Sequence, residues 1–474
     1  MTKLTPAIAW YRQDLRVQDH PALNAAAAGG RPVVAVYVLD DTSPGMWKLG
    51  GAARWWLHHS LASLDRSLRA RGGQLVLRRG SAAVIIPALA QELGATEVHA
   101  GRMHEPWARE ADALVADALR GVGAKLTLHR TSTLFDMDVV RTKTGGVYGV
   151  YTPFARTARS IMPDPLVTAP ERLAGPCVPS DTLADLALLP TKPDWSGSFD
   201  WQVGEIAAQA RLAAFLDRAV HGYDTTRNLP GQPGTSMVSP HLHWGELSPG
   251  QVWHTARQAA VQTGQGLEIY LNEILWREFS AYLLWHHPHL PEQPLRPEFA
   301  KLPVRHDAAE LKAWRCGQTG VPIVDAGMRQ LWALGWMHNR VRMIAASFLV
   351  KQLLMPWQDG SAWFWDTLVD ADLASNSAGW QWIAGCGTDN SPFFRVFNPV
   401  TQGEKFDTDG AYVRRWVPEL ARLPNAVLHQ PWAAPADVLA RAGVRLGETY
   451  PAPLVELGPA RLRALDAFKT LRAG

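Results

Sequence analysis

Five short apolar runs, each separated from the next by a stretch long enough for a helix, constrain the fold of the first 130 residues. The predicted strands are Ala7–Tyr11, Val33–Leu39, Gln74–Arg79, Glu97–Gly101 and Lys125–His129. The predicted intervening helices are Ala52–Arg71, Ser81–Leu93 and Pro106–Val122. This alternation predicts an α/β domain with a five-stranded, parallel, doubly wound sheet. No GxGxxG motif follows the first strand, so a standard dinucleotide site is not predicted, although a ligand could bind at the carboxyl ends of the strands.

Prolines interrupt this pattern, and helices dominate the rest of the chain. The interrupting prolines are Pro163, Pro165, Pro170, Pro176, Pro179, Pro190 and Pro193. Helices are predicted after them at Gly204–Ala219, Ser248–Thr263, Glu268–His286, Asp307–Cys316, Pro322–Leu334, His338–Leu354 and Gly360–Leu368. We therefore predict an α/β domain over residues 1–130, a connector over 131–200 and an all-α domain over 201–474.

Composition narrows the class of protein without identifying it. The 474 residues are 47% hydrophobic and carry a net charge of only +3, which is too mild to predict nucleic-acid binding by itself. The three cysteines, Cys177, Cys316 and Cys386, are far apart and form no zinc-type spacing. Neither a signal peptide nor an apolar run of membrane-spanning length is present. These features predict a protein of the reducing cytoplasm that binds no metal.

Tryptophan is the compositional outlier, with 21 residues, and the segment from Arg329 to Phe406 combines several indoles with polar groups. That segment carries Asp370, Asp372 and Asn376, which a helical core does not need. A buried, redox-active aromatic cofactor does need donors and acceptors along its ring edge and indoles beside its face. Most of the tryptophans are explained as residues of a helical core, and only a few by position suggest a second role.

Two shorter patterns also suggest binding. The loop with Thr235 and Ser236 precedes a predicted helix and suits a diphosphate, although an ordinary helix cap explains it as well. Glu273, Trp276 and Arg277 share one face of a predicted helix. They could bind a base edge, a stacked base and a phosphate, or they could be a solvated ion pair beside a half-buried indole.

Taken in order, these motifs resemble the photolyase/cryptochrome flavoprotein family. The resemblance extends from about Ile8 to Pro418 and includes AWYRQDLRVQDHPAL, GTSMVSPHL, NEILWREF, TGVPIVDAGMRQL and FNPVTQGEKFD. It implies an N-terminal α/β domain and an all-helical C-terminal domain that holds a U-shaped FAD. Within the family, the chain is similar to bacterial class I and class III photolyases, and TSMVSPHLHWGELSP is most similar to class III.

The resemblance implies a set of flavin-binding residues. Those matching the phosphate and ribitol region are Tyr223, Thr235, Ser236, Met237, Val238 and Ser239. Those matching the surroundings of the ring are Arg277, Asn339, Arg342, Asp370, Asp372 and Asn376. In the family pattern Asn376 faces the flavin N5 atom, and Arg342 forms an ion pair with Asp370. A neutral amide at N5 is compatible with a neutral radical or with an anionic reduced ring.

The resemblance also implies a substrate. Family members that split cyclobutane pyrimidine dimers carry a lesion pocket that matches Glu273, Trp276, Asn339, Met343 and Trp382. Relatives acting on (6-4) photoproducts place two histidines here, whereas this chain has His338 followed by Asn339. Positions that meet DNA match Arg227, Arg340 and Gln402. The implied function is light-driven repair of pyrimidine dimers in DNA, by a monomer, with electron transfer from reduced FAD. The alternative is a cryptochrome-type blue-light photoreceptor.

Two features of the family pattern remain open in this chain. Trp380 and Trp357 match the proximal and middle members of the tryptophan chain that reduces the flavin, but the distal position is Val304. The candidate replacements are Trp314, Trp332, Trp336, Trp363 and Trp365. His104 and Glu105 match a position that contacts an antenna chromophore, expected to be methenyltetrahydrofolate. An 8-hydroxy-deazaflavin is the alternative, because Gly50–Leu61 resembles sequences around that ligand.

Overall fold

A computed structural model describes residues 4–161, 163–259, 264–389 and 395–473. The chain forms two compact units, each assembled from three stretches of sequence. The first unit contains Met1–Arg218, Ser236–Pro288 and Val369–Ala374, and the second contains Ala219–Thr235, His289–Leu368 and Ser375–Gly474. The domain boundaries proposed near residues 130 and 200 stay a prediction.

The first unit is built on a five-stranded parallel sheet, which confirms the predicted fold class. Its strands are β1 (Ala7–Tyr11), β2 (Val33–Leu39), β3 (Leu75–Arg79), β4 (Glu97–Gly101) and β5 (Lys125–His129). The strand order is β3-β2-β1-β4-β5, and every neighbouring pair is parallel. Four of the five strands have the predicted bounds, and β3 begins one residue later than predicted.

Burial on both faces of the sheet explains why such continuously apolar segments form its central strands. Every residue of β1 and β2 is buried, as expected for central strands of a sheet that is covered by helices on both sides. The chain leaves β1 toward β2 on one side and later places β4 on the other side of β1. The carboxyl ends of β1 and β4 therefore form a topological switch point, where open α/β sheets bind ligands.

Of the first ten α-helices in the described ranges, all but α7 belong to the first unit. They are α1 (Pro21–Ala26), α2 (Gly51–Arg69), α3 (Ala82–Leu93), α4 (Pro106–Gly121), α5 (Tyr151–Ser160), α6 (Glu205–Arg218), α8 (Ser239–His243), α9 (Pro249–Ala259) and α10 (Gln265–His286), while α7 (Tyr223–Thr226) belongs to the second unit. Helix α5 lies inside the predicted connector and was not predicted. Its only proline, Pro153, occupies the first turn, where the missing N–H would have no helical partner. Residues 260–263 of the predicted helix Ser248–Thr263 lie outside the described residues.

The described part of the second unit is helical, apart from one isolated bridge between Leu446 and Tyr450. Its further helices are α11 (Ala308–Arg315), α12 (Pro322–Leu334), α13 (Asn339–Ser347), α14 (Trp357–Thr367), α16 (Pro399–Phe406), α17 (Ala411–Trp416), α18 (Asn425–Leu428), α19 (Ala436–Ala442) and α20 (Leu457–Ala473). Helix α15 (Leu373–Ala384) begins in the first unit and continues in the second. The predicted helix His338–Leu354 is α13 followed by the π-helix Phe348–Gln352. No helix in the described ranges is long and apolar enough to cross a membrane.

Candidate functional site

A cavity in the first unit lies at the switch point of the sheet. Its lining includes Gln13 after β1, His104 and Glu105 after β4, and Arg277 and Asp372 from elsewhere in the unit. The structure therefore brings the two residues predicted to contact an antenna together with two residues predicted to contact the flavin.

Burial shifts the pKa values of the two residues after β4. It raises the pKa of the Glu105 carboxyl, and Asp372 raises it further. Burial lowers the pKa of His104 to about 3, and Arg277 adds to that effect. His104 is therefore a neutral imidazole near pH 7, which can donate one hydrogen bond and accept another.

Arg277 is held in place by its neighbours in the first unit. Its Nη1 donates to the Ser132 carbonyl at 2.7 Å, and Nη2 reaches the Leu242 carbonyl at 3.4 Å. Glu278 accepts from the same Nη1 at 3.4 Å and from the Leu134 N–H at 2.8 Å. Glu278 is fully buried, and burial raises its pKa to about 7. Glu278 was not predicted from the sequence, although a carboxylate among apolar neighbours in α10 is a signal of a buried polar contact.

The predicted phosphate-binding loop has an unusual backbone. Met237 has a φ of +51°, a left-handed conformation that is uncommon outside glycine and often marks functional loops. Two residues later, Ser239 donates its hydroxyl to the Asp370 carboxylate at 2.6 Å. This bond connects two predicted flavin-binding segments of the first unit. The intervening Val238 is buried, and Ser236 is half-buried.

The second unit contains the other end of that loop. Gly234 lies so close to Thr226 that a side chain at 234 would approach the Thr226 Cβ to 2.5 Å. Tyr223 is buried, and the guanidinium of Arg227 lies 5.4 Å from the centre of its ring. Thr235 is half-buried.

Asn376 is oriented by a residue that the sequence did not suggest. Its Nδ2 donates to the Ser361 carbonyl at 3.1 Å and contacts the Ser361 hydroxyl at 3.0 Å. Because both bonds use the amide nitrogen, the amide oxygen is the group that Asn376 offers to a donor. Arg342, in the same unit, donates from Nε to the Met337 carbonyl at 2.7 Å. Its predicted ion pair with Asp370 stays a prediction.

Aromatic rings from three helices of the second unit form a cluster around Trp380. The Trp380 ring lies 5.0 Å from that of Phe364 and 6.3 Å from that of Trp314. A side chain at Gly360 would meet the Trp380 ring at 2.1 Å, so only glycine permits this packing. Trp357 is buried but makes no ring contact with the residues that the structure describes.

A second indole pair in this unit reaches the surface. Trp332 and Trp363 stack with their centres 6.1 Å apart and their planes 2° apart, and Trp332 is 53% exposed. The Arg315 guanidinium lies 5.2 Å from the centre of the Trp363 ring. Val304, which is predicted to match the family's distal tryptophan position, is itself partly exposed.

Some of the predicted DNA contacts also lie together in the second unit. Arg340 donates to the side chain of Asn228 at 2.5 Å, and its guanidinium lies 4.4 Å from the centre of the Phe406 ring. Phe406 ends α16, the helix that also carries Gln402. Asn339 is exposed, and the remaining lesion-pocket candidates of this unit, Met343 and Trp382, are half-buried.

The lesion-pocket candidates of the first unit lie on α10. Glu273 and Trp276 are both half-buried. The Trp276 indole is stacked on Tyr151, a residue of α5 that the sequence analysis did not identify. Among the described residues, no group of three or more His, Cys, Asp or Glu side chains is arranged to hold a metal ion, and all three cysteines are free thiols.

Comparisons with known proteins cover nearly the whole chain. A family model described as "DNA photolyase" matches residues 7–171, and one described as "FAD binding domain of DNA photolyase" matches residues 270–470. The deoxyribodipyrimidine photo-lyase of Agrobacterium fabrum is 47% identical, with 99% of each chain covered. Cryptochrome-1 of Arabidopsis thaliana is 36% identical, over 98% of this chain and 70% of that protein. The crystal structure of a bacterial class III photolyase from Agrobacterium tumefaciens is similar with a TM-score of 0.97 and 47% identity, covering 100% of this chain and 99% of that one.

Proposed function

The chain belongs to the photolyase/cryptochrome family, and on that premise we propose that it is a deoxyribodipyrimidine photolyase that repairs cyclobutane pyrimidine dimers in DNA under blue or near-ultraviolet light. The observation that carries the proposal is 47% identity along the full length of a protein named for this activity. The residues Glu273, Trp276, Asn339, Met343 and Trp382 support it, because they match the lesion pocket of dimer-splitting relatives.

The cofactor we propose is FAD, since the family's FAD-binding domain spans residues 270–470. The donor set fits this group. The Asn376 amide oxygen can accept from the N5–H of a reduced flavin, and the strained loop at Met237 offers hydroxyls and backbone N–H groups to a diphosphate. Bound and reduced, FAD supplies the electron that light-driven repair requires. Arg277, fixed by two carbonyls and Glu278, would hold its guanidinium beside the cofactor.

The chain's own side chains would bind and orient the lesion. Photolyases extrude the damaged bases from the duplex. Trp276 and Trp382 would then stack on the extruded bases, while Glu273 and Asn339 would hydrogen-bond their polar edges and stabilise added negative charge. Arg227, Arg340 and Gln402 would contact the DNA backbone, which positions the duplex without reading its sequence.

Further parts of the proposal concern the antenna chromophore, the oligomeric state of the protein and its location in the cell. We propose methenyltetrahydrofolate as the antenna, with His104 and Glu105 among its contacts, and 8-hydroxy-deazaflavin as the alternative. The absorption spectrum of the chromophore released from purified protein distinguishes the two. We also propose a cytoplasmic monomer that associates with the nucleoid when it is bound to DNA.

The decisive experiment illuminates purified, chemically reduced protein with two substrates in parallel. One oligonucleotide carries a single cyclobutane dimer and the other a (6-4) photoproduct, with matched samples kept in the dark. We expect light-dependent repair of the first substrate only. Repair of neither would favour the photoreceptor alternative, for which the likeness to Cryptochrome-1 of Arabidopsis thaliana is the supporting observation. Repair of the second alone would refute the lesion-pocket assignment.

A further inference from the structure

Tyr151 and Trp276 form a close, parallel ring stack in the first unit. Their ring centres are 3.6 Å apart, and their planes differ by only 5°. Phe279 approaches Trp276 edge-on at 6.1 Å, and no second described ring lies parallel to the indole. Because Trp276 is half-buried, Tyr151 covers one face of an indole that is still partly open to solvent.

A hydrogen bond also fixes the ring of Tyr151 against α10, the helix that carries its stacking partner. The hydroxyl donates to the Asn272 carbonyl at 2.9 Å, one helical turn before Trp276 in α10. The Asn272 side chain in turn accepts from Arg159 at 2.8 Å. Arg159 also bonds Glu268 at 2.9 Å, so both ends of α5 are attached to α10.

Apolar packing also holds α5 against α10. Phe154, one turn after Tyr151, is buried and lies 5.0 Å from both Phe279 and Tyr282 of α10. The Tyr151 ring therefore cannot turn without breaking a hydrogen bond and disturbing a packed aromatic cluster. Because the Trp276 indole is stacked on this immobilised ring, the orientation of the indole plane is restricted as well.

We propose that Tyr151 is a positioning residue for lesion recognition, which sets the plane of the Trp276 indole and leaves its opposite face for an extruded pyrimidine. The inference rests on the proposed function, because it assumes that Trp276 stacks on the damaged bases. A side chain that is immobilised before binding loses less conformational freedom when the ligand arrives. The stack therefore favours damaged over undamaged DNA, since only an extruded base uses the prepared face.

The test compares variants of the FAD-loaded protein by their affinity for DNA in the dark. Fluorescence anisotropy gives the dissociation constants for a duplex with one cyclobutane dimer and for the same duplex undamaged. Tyr151→Leu removes the ring. We expect it to lower the ratio of the affinity for damaged DNA to that for undamaged DNA by about 2- to 10-fold, which corresponds to the usual free energy of an aromatic pair. Tyr151→Phe keeps the stacked ring and loses the hydroxyl's bond to Asn272, so it should retain most of the ratio.

Tyr148→Leu is the matched control. Tyr148 is also half-buried and lies in the same segment, but its ring contacts Phe154 and not Trp276. A change that only loosened α5 would appear in Tyr148→Leu as well and would overturn the proposal.

Trp276→Leu separates this inference from the proposed function. If that variant loses discrimination while Tyr151→Leu keeps it, positioning by Tyr151 is refuted and the proposed function stands. If Trp276→Leu also keeps full discrimination, the lesion-pocket assignment itself is refuted. Should Tyr151→Leu fail to fold, Tyr151→His supplies a smaller planar ring and must give an intermediate ratio. A wild-type ratio in that variant contradicts the proposal.

Discussion

Several single side chains are so far removed from water that burial shifts their pKa values strongly. His338 is 2% exposed, and burial lowers its pKa to about 3, with Arg340 and Arg342 adding to the effect. Its Nδ1 accepts from the Arg340 N–H at 3.2 Å and so caps α13. A neutral capping imidazole is a poor proton donor at neutral pH, which agrees with a pocket for cyclobutane dimers and not for (6-4) photoproducts.

The same burial predicts a loss of stability in acid. An unfolded histidine binds a proton near pH 6.5, whereas folded His338 does not until about pH 3. Stability is therefore lost as the pH falls from 6.5, at up to about 1.4 kcal/mol per pH unit. His338→Asn keeps a capping acceptor without the titrating ring. Urea unfolding at pH 7.5 and 5.5 should show a smaller acid loss in the variant, and equal losses would contradict the assignment.

Glu278 should make the stability of the protein depend on pH in the opposite direction. Its folded pKa of about 7 lies above the ordinary value of 4.5. The folded state therefore holds a proton that the unfolded state has released, and stability is lost as the pH rises from 4.5 through 7. Glu278→Gln imitates the protonated carboxyl. We expect its unfolding free energy, relative to wild type, to increase by more than about 1 kcal/mol between pH 5 and pH 8. A constant difference would mean that Glu278 stays ionised.

At the scale of elements, the aromatic cluster on α11, α14 and α15 of the second unit suggests a route by which an electron could move inward from the surface and leave a positive charge there. Trp314 is fully buried and is the indole in ring contact with Trp380. The stacked pair Trp332 and Trp363 offers an exposed end, where water stabilises a positive charge. We predict that these residues supply the route if, as the sequence predicts, Val304 occupies the family's distal tryptophan position. The role of Trp357 stays a prediction, because electron transfer does not require ring contact.

This arrangement predicts that Trp314→Phe slows light-driven reduction of FAD several-fold, since a benzene ring is harder to oxidise than an indole. Repair by chemically reduced protein should be unchanged. The measurements are the rate of flavin bleaching under blue light with a thiol reductant, and the transient absorption of tryptophan radicals. Trp416→Phe, a half-buried indole outside the cluster, is the matched control. Normal reduction in Trp314→Phe together with slow reduction in Trp357→Phe would restore the family's usual route.

The elements that the sequence predicted well are those whose signal is local. Strands β1 and β2 are buried on both faces, so they read as continuous apolar runs with sharp ends. Helix α5 was missed because only Phe154, Ala155 and Ala158 are buried along it and prolines follow closely. The π-helix after α13 was missed because its residues continue the apolar pattern of a long α-helix.

At the scale of the whole molecule, the site residues themselves were suggested by resemblance, whereas their supports required coordinates. Ser361 orients Asn376 from 15 positions away, and Glu278 accepts from Leu134 across 144 positions. No periodicity or spacing rule connects residues so distant along the chain. The contacts that fix the candidate site are therefore the part of the structure that the sequence could not predict.

The balance of charge over the whole molecule yields a last prediction. With a net charge of only +3, general attraction to DNA is weak, and phosphate binding depends on a few placed cations. Arg340→Gln should weaken binding to damaged and undamaged duplexes alike and reduce the slope of log affinity against log salt by about 1. Arg441→Gln removes the same charge from an exposed ion pair with Asp437 on α19 and should leave the slope unchanged. If the two variants behave alike, Arg340 makes no phosphate contact, and DNA binding follows net charge alone.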